Sequence, residues 1–342
     1  MDCCSSFHHS LSFPFNTKKQ ENLTGIYDFF STFAVNEQYN ASKTDSYDFT
    51  FLFLFVSVKG QTSRALLVAI DKYPSESGWN EIHATNDIYL LKPLLIKRNF
   101  APAHVTVLLN EQATKDAIVK ALKQLAKDSR HGDYIYIHFS CHGQQMADDN
   151  GDETDGLDEA LIPYDAPRRY QKGVYVGEKH LRDDELGSLL DDIRKKTGDK
   201  GTVTLALDAC HSGTADRDKG DDVYVRGTSY VFAPKDFVPP AVVCTDSTLK
   251  EIYSQPGMAS MTVIAACMPE QLNYEYRSPH GFYYGSLTYA LWEIMRKNES
   301  LPFSRLCELL KNRVDELKPR RGKTQIPLLK TNDEKGIFRI GI

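Results

Sequence analysis

Residues 201–213 read G-T-V-T-L-A-L-D-A-C-H-S-G, and this stretch sets what the rest of the chain is built around. Its first seven positions are β-branched or apolar after an opening glycine, the pattern of a strand buried on both faces in a parallel sheet. The run then delivers Asp208, Cys210, His211 and Ser212 within five positions, followed by Gly213. An open α/β sheet places its chemistry at the carboxyl edge of such strands. Residues 133–143, D-Y-I-Y-I-H-F-S-C-H-G, repeat the grammar and end in Ser140, Cys141, His142 and Gly143. If the two strands are parallel neighbours, His142 and Cys210 meet at one edge, where the imidazole can take the thiol proton near neutral pH.

The composition excludes several classes. A net charge of -5 with scattered Lys and Arg argues against a nucleic-acid partner. The cysteines Cys3, Cys4, Cys141, Cys210, Cys244, Cys267 and Cys307 form no CxxC pair, and their odd count argues against a disulfide framework. Residues 1–61 are poorly patterned and form a separate N-terminal segment. Within it residues 51–58, F-L-F-L-F-V-S-V, are too short to span a bilayer as a helix. Their length suits the apolar core of a secretory signal, while their distance from Met1 and the preceding Asp45 and Asp48 suit a strand or prosegment instead. The first reading implies export to a periplasm or outside the cell, the second a cytoplasmic protein.

From residue 62 onward strands alternate with helices. Strands are predicted at 64–70, 105–109, 134–139, 201–207 and 261–266. Helices are predicted at 82–98 despite Pro93, after a Thr114 cap, and at 181–193, 284–296 and 303–317. Residues 148–165 read as a dense acidic loop, 214–258 as a long polar loop containing Pro239-Pro240, and 336–340 as an edge strand. The alternation implies an α/β domain over 62–342, with a largely parallel sheet covered on both faces.

Singly, Cys210 reads as a small buried hydrophobe and His142 as a structural histidine. Their shared position, just past a buried strand and next to a glycine, favours the functional reading. His211 is the competing base, but it adjoins Cys210 and points away from it in an extended chain. Cys141 is the competing nucleophile and is set back from His142 for the same reason.

H-F-S-C-H-G and L-D-A-C-H-S-G resemble the histidine and cysteine motifs of the caspase-like cysteine peptidases, specifically the metacaspases. The acidic stretch G-D-E-T-D-G-L-D-E-A-L-I-P-Y-D, A-T-N-D at 84–87, A-A-C-M-P-E-Q at 265–271 and G-S-L-T-Y-A-L at 285–291 fit the same family in the same order. The resemblance implies a three-layer caspase-like α/β fold with a mostly parallel six-stranded sheet flanked by helices. It implies Cys210 as nucleophile, His142 as general base and then acid, and the backbone amides of Gly143 and Cys210 as an oxyanion hole. Asp87 and Asp208, with Ser140 beside them, match the family's acidic pocket, which suits a guanidinium or ammonium group. The implied substrates are proteins or peptides with Arg or Lys before the scissile bond, cut by a protein expected to act as a monomer.

Asp158, Asp183 and Asp184 match the family's ligands for an activating Ca2+, with Asp216 or Asp218 as a fourth. The bland alternative is a solvated acidic loop at 148–155. The polar insert holds Lys219, Arg226, Lys235 and Lys250 and, with Lys59, offers sites for self-cleavage. Two other readings compete. One is a legumain-like or caspase-like peptidase cutting after Asn or Asp, and the other a non-catalytic caspase-like binding module. The chain departs from the family at Cys141, where glycine is usual.

Overall fold

The computed structural model describes residues 60–151, 153, 155–211, 223–238, 255–320, 322–333 and 335–342. The N-terminal segment through residue 59, with its apolar run, lies outside the described residues. So do Ser212, Gly213, Asp216, Asp218, Lys219, Cys244, Lys250 and the Pro239-Pro240 pair. In chain order the first half contains β1 (Ser63–Ala69), α1 (Thr85–Lys97), β2 (Val105–Leu109), α2 (Lys115–Asp128), β3 (Tyr134–Ser140), β4 (Gly143–Ala147), β5 (Leu157–Leu161), β6 (Leu181–Arg182) and α3 (Asp183–Thr197). The second half contains β7 (Thr202–Asp208), β8 (Ser260–Ala265), β9 (Glu275–Arg277), β10 (Tyr283–Gly285), α4 (Ser286–Met295), β11 (Ser300–Pro302), α5 (Phe303–Leu317), β12 (Leu328–Thr331) and β13 (Ile337–Arg339).

Six strands form the central sheet in the order β12-β8-β7-β3-β1-β2, all parallel except β12. Successive side chains of a strand face opposite sides, and the two cores follow that period. Leu67, Ala69, Tyr136 and Ala206 pack with α1, α4 and α5 on one face. Leu66, Val68, Ile135, Ile137, Val203 and Leu205 pack with α2 and α3 on the other. This is the three-layer α/β architecture of the caspase-like fold.

The register sets the site. Ala69, Ser140 and Asp208 are level across β1, β3 and β7, so the last residues of the three central strands form one row. His142 and Cys210 each lie two residues beyond that row. Thr114 caps α2 by accepting a hydrogen bond from the Ala117 amide at 3.3 Å. Pro93 is tolerated in α1 because it faces solvent. Among the described residues no helix is long and apolar enough to cross a membrane.

Four local expectations change. The helix expected from 181 starts at Asp183, because Leu181 and Arg182 pair with Leu161 and Ala160 as β6. The helix expected from 284 starts at Ser286, after the β10 hairpin strand. The acidic stretch 148–165 is not all loop, since β5 runs through it with all five residues buried. The C-terminal strand pairs with β11 in a separate ribbon, and the antiparallel edge of the main sheet is β12 instead.

Candidate active site

Cys210 and His142 are both buried just past the carboxyl ends of adjacent strands. His142 stacks on Trp79, with ring centroids 4.8 Å apart, and its Nε2 lies 2.8 Å from the Asn80 carbonyl oxygen. A carbonyl only accepts, so Nε2 carries the proton and Nδ1 presents its lone pair. Nδ1 has no hydrogen-bond partner among the described residues. Burial pushes the His142 pKa down to about 4, so the ring is neutral at pH 7. Tyr73 fixes the backbone here, its hydroxyl accepting from the His142 amide at 3.1 Å and donating to the Ile162 carbonyl at 3.1 Å.

Cys141 turns into the core beneath the sheet, where burial pushes its thiol up to about 12. His211 is pushed down to about 4 by burial, and its carbonyl accepts from the Gln145 amide at 3.2 Å. Cys267 lies beside Cys210 and was not singled out by the sequence. A hydrogen bond with the Cys210 thiol, burial and the neighbouring charges raise its pKa, and its Sγ donates to the Gln271 carbonyl at 3.3 Å.

The acidic residues converge on a single cation from within the chain. Arg226 is fully buried, and its Nη1 donates to Asp87 Oδ2 at 2.6 Å and lies 3.4 Å from Asp208 Oδ1. Its Nε and Nη2 both donate to Glu275 Oε1, at 3.1 and 3.0 Å. Asp87 also accepts from the Ser140 hydroxyl at 2.7 Å and the Gly285 amide at 2.9 Å. Asp208 accepts from Asn273 Nδ2 at 2.7 Å and from the Thr288 amide and hydroxyl at 2.8 and 2.6 Å.

These partners divide the two carboxyls. Burial alone would raise Asp208, but Arg226, Asn273 and Thr288 outweigh it and hold the group low. Burial pushes Asp87 up to about 6, and the Asp208 charge adds to the effect. Beneath them His138 Nε2 reaches Ser140 Oγ at 2.9 Å and Thr288 Oγ1 at 3.1 Å. Both hydroxyls are already donating to carboxylates, so this nitrogen is the donor.

Glu275 is one of the pocket residues that sequence reasoning missed. It also accepts from the His83 amide at 2.8 Å, and its Oε2 lies 2.6 Å from His83 Nδ1. The available signal was positional: Asn273 and Glu275 are two residues apart in an extended stretch and reach the same cation cluster.

The Arg226 main chain is held as firmly as its side chain. Its carbonyl oxygen accepts from the amides of Cys210 at 2.9 Å and Gly143 at 3.3 Å. The next residue, Gly227, lies against the nucleophile, where an added methyl would sit 2.6 Å from Cys210 Sγ.

The residues matched to calcium ligands lie on the β5, β6 and α3 edge. Asp158 is buried on β5 and ion-pairs with Arg182, which also reaches Asp149 at 3.1 Å. Carboxylate oxygens of Asp148, Asp149 and Asp158 lie within 4.8 Å of one another. Asp183 and Asp184 open α3, and Asp184 is linked to the cluster through Asn150, whose Nδ2 donates to it at 2.6 Å. Asp148 is partly committed to its own loop, accepting from the amides of Asn150, Gly151 and Glu153 at 2.8–3.1 Å.

Residues 62–336 match the caspase domain of the peptidase C14 family, so the chain belongs to the caspase family of cysteine peptidases. Within that family it is metacaspase-like. It is 25% identical over 320 residues to metacaspase-1 of Schizosaccharomyces pombe, spanning 81% of this chain and 71% of the yeast protein. Its identity to metacaspase-2 of Arabidopsis thaliana is 29% over 245 residues, spanning 68% of this chain and about half (52%) of the plant protein. A solved structure from Geobacter sulfurreducens shares the fold, with a TM-score of 0.56 at 20% identity over 82% of this chain and 99% of that one.

Proposed function

We propose that the protein is an endopeptidase cleaving after Arg or Lys through Cys210 and His142. The observation that carries the reading is Arg226, whose guanidinium meets Asp87, Asp208 and Glu275 while its carbonyl accepts from the Gly143 and Cys210 amides. Three carboxylates suit a basic side chain and repel the acidic one a caspase would take. In the reaction the Cys210 proton passes to His142 Nδ1 and sulfur bonds to the substrate carbonyl carbon. The oxyanion gathers the two amide donors. Collapse breaks the C–N bond, His142 returns the proton to the leaving amine, and water hydrolyses the thioester.

Self-processing within the 214–258 insert and activation by calcium belong to the same proposal. Asp158 Oδ1 is buried without a hydrogen-bond partner among the described residues, and hard carboxylate oxygens gather beside it. That donor set suits Ca2+, which takes six to eight oxygens in flexible geometry. Asp158, Asp183 and Asp184 would hold the ion, with Asp148 and Asp149 within reach of Asp158.

The test is hydrolysis of fluorogenic peptides ending in Arg, Lys, Asn or Asp, with Cys210→Ala and His142→Ala as controls. Turnover of the Arg and Lys peptides, lost in both variants, is expected. Turnover of the Asn or Asp peptide would move the protein to the legumain-like or caspase-like reading. Binding without turnover would leave a non-catalytic module.

A further inference from the structure

The segment around Arg226 fills more than the pocket for one side chain. Tyr224 to Arg226 runs antiparallel to Asn273–Glu275, with the Arg226 amide donating to the Asn273 carbonyl and the Glu275 amide to the Tyr224 carbonyl, both at 3.0 Å. This is the way an extended peptide adds itself to an existing strand, with main-chain bonds giving affinity and alternate side chains giving specificity. Val225 is buried against Cys210, Cys267 and Tyr274. Tyr224 meets His83 edge-on at 4.6 Å and Tyr283 at 4.9 Å between ring centroids.

The chain continues in an ordered path beyond Gly227. Arg168 Nη2 donates to Thr228 Oγ1 at 2.6 Å, and Gln144 Nε2 donates to the Tyr230 carbonyl at 2.8 Å. The Phe232 amide donates to the Gln145 carbonyl at 2.8 Å, and its carbonyl accepts from the Ala147 amide at 3.0 Å, fastening the segment to β4. Arg168 is itself placed over the Trp79 ring, 5.7 Å from its centroid, and Trp79 stacks on His142.

We infer that residues 224–228 are bound as a substrate is bound, with Arg226-Gly227 as the bond presented to Cys210. The subsites they occupy then select an aromatic residue at P3, a branched apolar residue at P2 and a glycine at P1′. This deepens the proposed function and rests on it. The P3 site is the His83–Tyr283 box, and the P2 site is the apolar wall of Cys267 and Tyr274. P1′ is confined by Cys210, because any β-carbon there presses on the sulfur and on the Cys210 carbonyl. The hydroxyl of Thr228 adds a P2′ contact through Arg168. A substrate in trans must displace this segment, so the same contacts hold the uncut chain latent.

The inference is tested with the full chain and two kinds of measurement. In the first, kcat/KM is compared for fluorogenic Tyr-Val-Arg, Ala-Val-Arg and Tyr-Ala-Arg peptides. Loss of the P3 ring is expected to cost about 3- to 10-fold, the range for an aromatic pair. Loss of the P2 branch is expected to cost about tenfold. Tyr283→Ala should level the first pair and leave the second unchanged. In the second, mass spectrometry follows loss of the 226–227 bond in the intact chain, where Gly227→Ala and Tyr224→Ala should both slow it. Equal rates on all three Arg peptides would overturn the subsites and leave the basic-residue preference standing. Cleavage of the insert at another basic residue, with the 226–227 bond intact, would overturn the assignment of this bond. Failure of every Arg and Lys peptide would overturn both readings together.

Discussion

At the scale of single residues, the pocket depends on a position that carries no side chain. A methyl group on Gly285 would collide with the Asp208 carboxylate and the Arg226 guanidinium. Gly285 also donates its amide to Asp87 at 2.9 Å, so the backbone cannot retreat without releasing that carboxylate. Gly285→Ala is therefore expected to lower kcat/KM on Arg peptides by roughly 100-fold, the cost of misplacing a bound group by about an ångström. The fold should survive, because the methyl enters the pocket rather than the core. Steady-state kinetics beside a thermal melt checks both halves, and undiminished turnover of an Arg peptide would rule out this pocket as the binding site. The sequence reading reached Asp87, Ser140 and Asp208 because each sits in a recognisable motif. Glu275 and Gly285 were not singled out as pocket residues because what matters about them is which atoms they meet, and those come from residues 226, 87 and 208. Arg226 was visible only as one basic residue among several in a polar insert.

At the scale of elements, the strongest readings were those with a period. β1, β3 and β7 are predominantly apolar, buried runs, and α2 and α5 carry clear apolar faces and emerge close to their expected bounds. The misplaced starts of α3 and α4 share one physical cause. In each a short strand leads straight into the helix, β6 into Asp183 and β10 into Ser286, and Leu181 and Tyr284 extend the helix's apolar pattern backwards. β5 was hidden because Asp158 and Glu159 interrupt an otherwise apolar strand; the Asp158 charge meets Arg182, a neighbour that sequence does not place, and burial among other carboxylates pushes Glu159 up to about 9.

The cluster at this edge leads to the second prediction. Addition of millimolar calcium to chelator-treated protein is expected to raise turnover of an Arg peptide, with magnesium much less effective because it demands a near-octahedral shell and sheds water reluctantly. Asp158→Ala should abolish the calcium response while leaving the melting temperature in chelator within a few degrees. Full activity in chelator, or equal activation by magnesium, would remove calcium from the mechanism.

For the molecule as a whole, burial sets the response to acid. His138, His142 and His211 are pushed down to about 4 and His180 to about 3, each chiefly by loss of solvent. In the unfolded chain these rings titrate near 6.5. Between that value and about 4 the unfolded state binds more protons, so their contribution to stability is complete above pH 6.5 and is lost as the pH falls. Acidification from pH 7.5 to 5 removes about 2 kcal/mol per histidine, on the order of 8 kcal/mol for the four. Two carboxyls oppose this. Asp87 is raised to about 6 and Glu159 to about 9, first by burial, so each stabilises the fold as the pH falls. Over the same interval they return about 1 and about 3 kcal/mol. The net is a loss of a few kcal/mol, a large share of the 5–15 kcal/mol typical of a folded domain. Urea unfolding of the Cys210→Ala protein, which cannot cut itself, should show its midpoint nearly level from pH 7.5 to about 7, where Glu159 offsets the histidines, and falling from there to pH 5. His180→Gln should flatten the slope by about one proton, since a glutamine can still reach Tyr175 and Gln144 but does not titrate. A midpoint that stays level or rises toward pH 5 would mean that the buried histidines are protonated in the fold, and the neutral state assigned to His142 would fall with them.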